Sequence, residues 1–338
     1  MQVVNFGQAD REAVCLDVRS PGEFGKGHIP GAVNLPLLDD QERAQVGTCY
    51  HQRGRNPAVI LGLRLIGARL ADLAQQGISA CSPSGRALVY CWRGGERSAS
   101  LGWLLEKVGL QVQQLRGGYK AYRRHARASL QRALPVRVLG GFTGSGKTEV
   151  LRLLRQRGQQ VIDLEELAHH KGSAFGHLGQ PEQPSSEMFE NLLAQQWALQ
   201  DSDRPVWLED ESHCVGSCYV SDSVWDQLRA APLYFLRIPQ SARRDYLIEE
   251  YVRGGMLESA LVERALDKIQ RRLGGENHRR ALQALHCQDW PELVGVLLDY
   301  YDRAYAHGKS LRPPESVCEF SLPAVEPARA VDLLLEGS

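Results

Sequence analysis

Little in this 338-residue chain names a partner or a compartment by composition alone. It has no excess of either charge: lysine and arginine together number 40, as do aspartate and glutamate, leaving a formal net charge of zero. That balance excludes a protein coated in cations for indiscriminate polyanion binding, although not a local basic face. Long apolar runs are missing too, and none approaches the roughly 18 residues that span a bilayer. The stretch Met1–Glu12 has neither the basic start nor the apolar core of a secretion signal, so a cytoplasmic protein without a membrane segment is expected. Regular cysteine spacing is also absent. The eight cysteines are scattered, which fits reduced, mostly buried thiols. Cys214 and Cys218 lie close together beside His213, but one such pair lacks the second half of a structural zinc site. There are no internal repeats or low-complexity tracts. What remains is an ordinary globular composition, 43% apolar and 24% charged, with length for two domains of about 150 residues.

Strand and helix signals alternate along the chain. Residues 13–16, 87–90 and 112–115 read as buried strands. Residues 58–75 and 98–108 read as helices, the first stopping at Gly77. A second series begins with a strand at 136–139 and a helix from Lys147. Strands near Val161, at 205–208 and at 233–236 follow, and residues 241–305 are mostly helical in pattern. Such alternation predicts βαβ units, parallel sheets and an α/β fold in two domains. Between the two series, residues 116–135 carry Arg116, Lys120, Arg123, Arg124, Arg127 and Arg132 and no acid. This strip reads either as a solvated basic helix face or as a track for a phosphate backbone.

The first chemical feature is Cys91. It follows a strand directly and leads through Trp92, Arg93, Gly94, Gly95, Glu96 and Arg97 to Ser98 and the next helix. Glycines permit tight curvature, successive backbone N–H groups turn inward, and the helix start adds its positive end. Such a nest holds an anion and favours the thiolate of a cysteine placed in it. Arg93 and Arg97 are placed to add charge-assisted hydrogen bonds to a bound oxyanion. Cys91, Arg93 and Arg97 are therefore the expected catalytic group, with Gly94 and Gly95 as anion-binding backbone. The competing reading is a buried structural cysteine.

This loop, with the segments Asp17-Val18-Arg19-Ser20-Pro21, Glu23-Phe24, Gly27-His28-Ile29-Pro30-Gly31-Ala32, Asn34 and Pro36, resembles the rhodanese family. In that family the upstream signature orders the strand and turns behind the loop. The loop cysteine attacks a sulfane sulfur donor and carries the atom as a persulfide, the role the resemblance implies for Cys91. The loop is one residue longer than the common Cys-x-x-Gly-x-Arg-Ser. It also fits the Cys-x5-Arg frame of cysteine phosphatases, with Tyr90 where those usually have histidine. The extra width suits a phosphate-sized oxyanion. A rhodanese-like domain is expected over residues 1–116, with a basic interdomain helix or linker over 117–135.

The second feature is Gly141-Phe142-Thr143-Gly144-Ser145-Gly146-Lys147-Thr148. It fulfils G-x-x-x-x-G-K-[ST] between a strand and a helix, the context a phosphate loop requires. Gly141, Gly144, Ser145 and Gly146 supply the cradle, Lys147 reaches between the phosphates, and Thr148 is placed to ligate Mg²⁺. The companion acid is expected at the end of the apolar strand before Glu211, as Glu209 or Asp210. Arg237, Arg243 and Arg244 are candidates for a lid. No guanine-specifying motif follows, so any di- or triphosphate fits. A P-loop NTPase-like domain with a helical C-terminal part is expected over residues 136–338.

A rhodanese-like domain ahead of a P-loop domain resembles the bacterial tRNA 2-selenouridine synthase family over essentially the whole chain. Residues 46–50, 90–95, 117–123, 170–176 and 208–212 with 215–216 add to the likeness, although Lys171 stands where arginine is expected. The resemblance implies a transferase that replaces sulfur by selenium in 2-thiouridine at the tRNA wobble position. It implies a route through S-geranylation with geranyl diphosphate, then selenation from selenophosphate with selenium carried on Cys91. No tightly bound cofactor is expected beyond Mg²⁺. The implied partners are thiolated tRNA, contacted by Arg116, Lys120, Arg123, Arg124 and Arg127, and selenophosphate with the synthase that supplies it. An alternative is a rhodanese-type sulfurtransferase coupled to a P-loop kinase or ATPase acting on RNA or a small molecule. A third reading, an ATP-gated RNA-binding module with an inert rhodanese domain, is disfavoured by the presence of Cys91.

Overall fold

The computed structural model describes residues 1–173, 175–253 and 259–337. Ala174, within the stretch 170–176, and residues 254–258, within the expected helical region, lie outside the described residues. The chain forms two compact units, residues 1–129 with 190–195, and residues 130–189 with 196–338. The basic segment expected as an interdomain element is thus divided, its helix belonging to the first unit. The cause is local: Tyr119 and Tyr122 of that helix are buried, and the Tyr119 N–H donates to the Cys91 carbonyl at 2.9 Å.

In the first unit, strands β1 (Gln2–Val4), β2 (Val14–Asp17), β3 (Val33–Asn34), β4 (Arg86–Tyr90) and β5 (Gln111–Leu115) form one parallel sheet. Their order is β1-β5-β4-β2-β3. Helices α1 (Pro21–Lys26), α2 (Asp40–Arg53), α3 (Arg55–Ile66), α4 (Leu70–Ala80), α5 (Glu96–Lys107) and α6 (Gly118–Ser129) complete the unit. Parallel pairing requires crossovers and brings the carboxyl ends of the strands to one edge, where crossover loops gather. The helical stretch expected from residue 58 to 75 is interrupted by a 3₁₀ turn at Gly67–Arg69 and then runs through Gly77 to Ala80. Gly77 does not end the helix. A β-carbon there would collide with the Leu105 side chain of α5, so glycine serves close helix packing.

Beneath the strand ends, Asp17 and Arg19 form an ion pair at 2.6 Å, with side chains 0% and 1% exposed. Arg19 also donates to the Gly27 carbonyl at 2.7 Å and lies 3.9 Å from the Tyr119 ring centroid. Asn34 Nδ2 closes the turn by donating to the carbonyls of Asp17 and Arg19, each at 2.9 Å. The upstream signature therefore builds the floor under the Cys91 loop.

In the second unit, β6 (Val136–Gly141), β7 (Gln160–Val161), β8 (Val206–Glu209), β11 (Leu233–Arg237) and β12 (Val317–Ser321) form a parallel sheet in the order β12-β11-β6-β8-β7. A small antiparallel pair, β9 (Cys214–Val215) and β10 (Cys218–Tyr219), stands apart. Strand β12 is exposed along much of its length, which leaves little apolar pattern to read from sequence. Helices α7 (Lys147–Gln156), α8 (Leu164–Ala168), α10 (Asp222–Ala230) and α11 (Gln240–Leu247) belong to this unit, and α9 (Ser186–Leu199) is divided, its residues 190–195 belonging to the first. Helices α12 (Ser259–Leu273), α13 (Gly275–His286) and α14 (Trp290–Ser310) pack around their own apolar cluster, and α15 (Pro327–Glu336) closes the chain against α7.

Removing one partner of a buried ion pair leaves the other charge stranded. Asp17→Ala is expected to destabilise the first unit by about 3–5 kcal/mol. A lowered denaturant midpoint, followed by circular dichroism, checks this.

Candidate functional site

Two loops gather the chemistry, each at the carboxyl end of a strand. Beyond β4, Cys91 is buried, 4% exposed. Its Sγ accepts from the Gly95 N–H at 3.2 Å and lies 3.3 Å from Ser98 Oγ. The buried Gln114 amide donates to Ser98 Oγ at 2.8 Å and to the Gly94 carbonyl at 3.0 Å. The Gly95 carbonyl accepts from Ser98 Oγ at 3.1 Å and from Gln114 at 3.3 Å, so two loop carbonyl groups are engaged on that side. Gly94 has φ +65°, and a β-carbon there would stand 2.5 Å from the Leu115 carbonyl oxygen. A β-carbon on Gly118 would strike the Cys91 carbonyl oxygen and the Gly94 nitrogen. Sequence reasoning assigned neither Gln114 nor Gly118 a part, although Gly118 sits in a conspicuous Gly-Gly pair.

The two arginines of the loop separate. Arg97 is not a free donor: Nη1 and Nη2 grip the Glu23 carboxylate at 2.6 and 3.3 Å. Burial alone would raise the Glu23 carboxyl, but the Arg97 pair outweighs it and holds the group below its usual value. Arg93 is exposed and lines the pocket at the Cys91 mouth. Of the basic strip, Arg116, Lys120, Arg124 and Arg127 are exposed, with Arg127 Nε 3.4 Å from Glu190. Arg123 is a correction. It is 8% exposed, bonded to Asn191 Oδ1 at 2.5 Å and ion-paired with Glu190, so its guanidinium is committed inside the unit. Arg132 likewise donates to the carbonyls of Trp197 and Gln200, each at 2.7 Å.

Beyond β6, the phosphate loop runs into α7 with Gly144 and Gly146 at φ +79° and +72°. Lys147 Nζ donates to the Gly141 carbonyl at 3.2 Å and lies 5.2 Å from the Tyr305 ring centroid. Ser145 Oγ is buried against Gly141 without a hydrogen-bond partner among the described residues. Behind the loop, buried Arg243 joins Asp302 at 2.6 Å and donates to the Thr143 carbonyl at 2.9 Å. It braces the loop from below and is not part of a lid. Arg237 pairs with Glu319, and Arg244 with Asp245.

The acids near Lys147 also sort differently from expectation. Asp210 is held by Arg312 at 2.9 Å and Arg229 at 3.6 Å. Glu209 is buried and accepts from the Glu165 N–H at 2.8 Å, while Glu165 Oε2 accepts from Thr148 Oγ1 at 3.3 Å. Burial, then the charges of Asp163 and Glu165, push the Glu209 carboxyl well up. Burial and Glu165 push Glu211 well up, against the pull of Lys147. Burial raises Glu165 as well, again opposed by Lys147. Glu165 and Glu211 were missed as site residues. The run Asp163-Leu164-Glu165-Glu166 after the short β7 was the available signal, since β7 lies beside β8 in the sheet. Among the described residues, no group of three or more His, Cys, Asp or Glu side chains is arranged to hold a metal ion.

Beside the phosphate loop opens a cavity of about 180 Å³. Residues 143–148 form one end; Phe175, Leu247, Val262, Leu293, Val294, Leu297 and Leu298 supply apolar wall, and Glu165, Lys171, Ser173, Tyr246, Glu250, Tyr301 and Tyr305 line it as well. Lys171 pairs with Glu250 at 2.7 Å. The sequence pattern marked residues 241–305 as mostly helical but gave no readable sign that Val262, Leu293, Leu297 and Leu298 line a chamber.

A cysteine in an amide-lined loop on one parallel sheet, with a P-loop on a second, defines a two-centre α/β protein of rhodanese and P-loop type. Residues 7–125 match the family described as "Rhodanese-like domain", and residues 134–326 match "tRNA 2-selenouridine synthase AAA domain". A protein of Bordetella bronchiseptica named tRNA 2-selenouridine synthase is 38% identical, with 89% of this chain and 89% of the relative covered. Proteins of that name from Pseudomonas putida and Shewanella sediminis are 36% and 34% identical, covering 92% and 86% of this chain and 91% and 86% of their own lengths. The chain belongs to the tRNA 2-selenouridine synthase family.

The raised carboxyls have a consequence for stability. A carboxyl whose folded pKa lies above its unfolded value stabilises fully below the unfolded value and loses that contribution as pH rises through the folded one. Glu211→Gln removes one such group while keeping its shape. The variant is expected to have a higher urea midpoint than the parent at neutral pH and a flatter decline of that midpoint from acid to neutral pH.

Proposed function

We propose that this protein is a transferase that converts 2-thiouridine at the tRNA wobble position into 2-selenouridine, using its two anion loops for successive steps. The carrying observation is the cavity beside residues 143–148. A P-loop that opens onto Phe175, Val262, Leu293, Leu297, Leu298 and Tyr301 suits a diphosphate with an apolar tail. Walls that are mostly apolar favour the geranyl chain over the base and ribose of a nucleotide.

In the first step the thiocarbonyl sulfur attacks C1 of geranyl diphosphate. The C1–O bond breaks, and diphosphate leaves with the electron pair while the uridine gives up its N3 proton. The amides of residues 144–148, the Ser145 hydroxyl and Lys147 bind the diphosphate and stabilise its growing charge. Thr148 with Glu165 would hold Mg²⁺, which would supply further charge neutralisation. In the second step the Cys91 thiolate attacks selenium of selenophosphate, the P–Se bond breaks with its pair on phosphorus, and phosphite departs to leave Cys91–S–Se⁻. That selenium bonds to C2 while the C2–S bond breaks and geranylthiolate departs with the electron pair. A second thiol then attacks Cys91 Sγ, the S–Se bond breaks with its pair on selenium to give 2-selenouridine, and further thiol reduces the disulfide left on Cys91. The Gly95 N–H on Cys91 Sγ and the exposed Arg93 support an anionic donor at that loop. The exposed side chains of Arg116, Lys120, Arg124 and Arg127 offer the tRNA backbone a local basic face.

The test incubates thiolated tRNA with geranyl diphosphate, with and without selenophosphate, and reads nucleosides by mass spectrometry. Lys147→Ala is expected to reduce geranylation by on the order of 100-fold. Cys91→Ala is expected to accumulate geranylated nucleoside and form no selenouridine; selenouridine in that variant would remove Cys91 from the mechanism. ATP hydrolysis at turnover rates, without geranylation, would favour the kinase or ATPase reading.

Lys120→Glu with Arg124→Glu is expected to weaken tRNA binding and lower the slope of log affinity against log salt by about one per lost phosphate contact. A slope equal to the parent's would take this helix face out of the tRNA path.

A further inference from the structure

The pocket at the mouth of the Cys91 loop is larger and more apolar than an oxyanion needs. It measures about 560 Å³. Cys91, Arg93, Gly95 and Arg97 lie at one end, His51, Arg55, Glu96 and Ser100 also line it, and most of the remaining wall is apolar, including Leu37, Leu38, Val46, Val59, Leu63 and Ile66. Much of this wall comes from α2 and α3, a helical pair between β3 and β4 that contributes little to the core. Helix α2 buries no residue, and α3 buries Ala58 and Ile66 alone. Ile66, Val46 and Leu65 reach the core of the unit, whereas Val59 and Leu63 line the pocket outside it. Leu63 and Tyr50 are each 55% exposed and Trp92 is 40% exposed, and all three line this pocket. Large apolar side chains left in water around a reactive group mark a surface kept for an apolar ligand.

Selenophosphate has nothing apolar to offer such walls. The P-loop cavity combines the same two elements, an anion cradle and an apolar chamber. We propose that the groove beside Cys91 binds the prenyl chain of the S-geranylated uridine, so that the selenation site selects a prenyl thioether over other 2-thiouridine derivatives. The proposal rests on the two-step reading above. It gives the second centre the task of housing the leaving group. The selenium nucleophile forms its bond to C2, the C2–S bond breaks, and geranylthiolate departs with the electron pair and takes a proton from water. With the chain seated along Leu63 and Val59, C2 is brought to the Cys91 end of the groove and the departing thiolate stays in an apolar channel.

The test uses the full-length protein, selenophosphate and two anticodon stem-loop RNAs made beforehand, one carrying an S-geranyl and one an S-methyl 2-thiouridine. Leu63→Glu places a charge on an exposed wall position, and Val59→Trp fills the groove by a different route. The parent is expected to selenate the geranyl RNA at least tenfold faster than the methyl RNA, a difference of about 1.4 kcal/mol. Both variants are expected to lose that preference through a slower geranyl reaction, with the methyl reaction unchanged. In the same preparations, geranylation of 2-thiouridine RNA from geranyl diphosphate is expected to equal the parent's. Variants that keep the preference, or that slow both RNAs equally, overturn the groove. A parent that selenates neither RNA overturns the two-step reading itself and the groove with it.

Discussion

Both centres depend on backbone amides standing where side chains would otherwise be. In a parallel sheet each strand ends at the same edge as its neighbours, and the chain must turn there into a helix. At the Cys91 loop that turn is so tight that Gly94 and Gly118 leave no room for a β-carbon. The amide of Gly95 reaches the sulfur because Gln114 and the start of α6 draw the loop carbonyl groups the other way. At the P-loop the left-handed glycines 144 and 146 set the cradle, and Arg243 fixes it from behind. The buried pair Asp17–Arg19 and the brace Arg243–Asp302 are then structural requirements of the loops above them.

The same priority explains where the cations go. A chain with no net charge belongs to a family whose named members act on tRNA, yet several of its arginines are consumed internally. Arg19, Arg97, Arg123, Arg243 and Arg312 each grip a carboxylate. Ion pairs of this kind specify geometry more than they add stability. The exposed charges of α6 stand out because so many others are committed. Near Lys147 the balance runs the other way, with Glu165, Glu209 and Glu211 crowded enough to be held toward their neutral forms by burial.

Much of this was legible in the sequence wherever chemistry and chain direction coincide. The P-loop, the Cys91 loop and the central strands lie in contiguous stretches whose residue types are forced by backbone geometry, so motif and fold agree there. The short edge strands β1 and β3, the exposed β12 and the polar helix α2 carry no apolar period and could not be read. The fates of Asp210, Arg97 and Arg123 were equally hidden. A charged residue reads the same whether it faces a ligand or an internal partner, and Glu23, Glu190 and Arg312 lie 67 to 102 positions away. Gly77 looked like a terminator because glycine ends helices more often than it lets two of them touch.

The two chambers differ in what their walls do for folding. Phe175, Val262 and Leu293 line the P-loop cavity and also belong to the apolar cluster that holds the C-terminal helices together. At the Cys91 groove, Leu37, Leu38 and Ile66 likewise belong to the central cluster of their unit, whereas Val59, Leu63 and Tyr50 lie outside it. Sequence drift is therefore coupled to fold integrity along the inner wall of that groove and released from it along the wall formed by Val59, Leu63 and Tyr50. Over evolutionary time that outer wall is the part free to change its choice of guest, while the inner wall and the P-loop chamber are held by the demands of their own architecture.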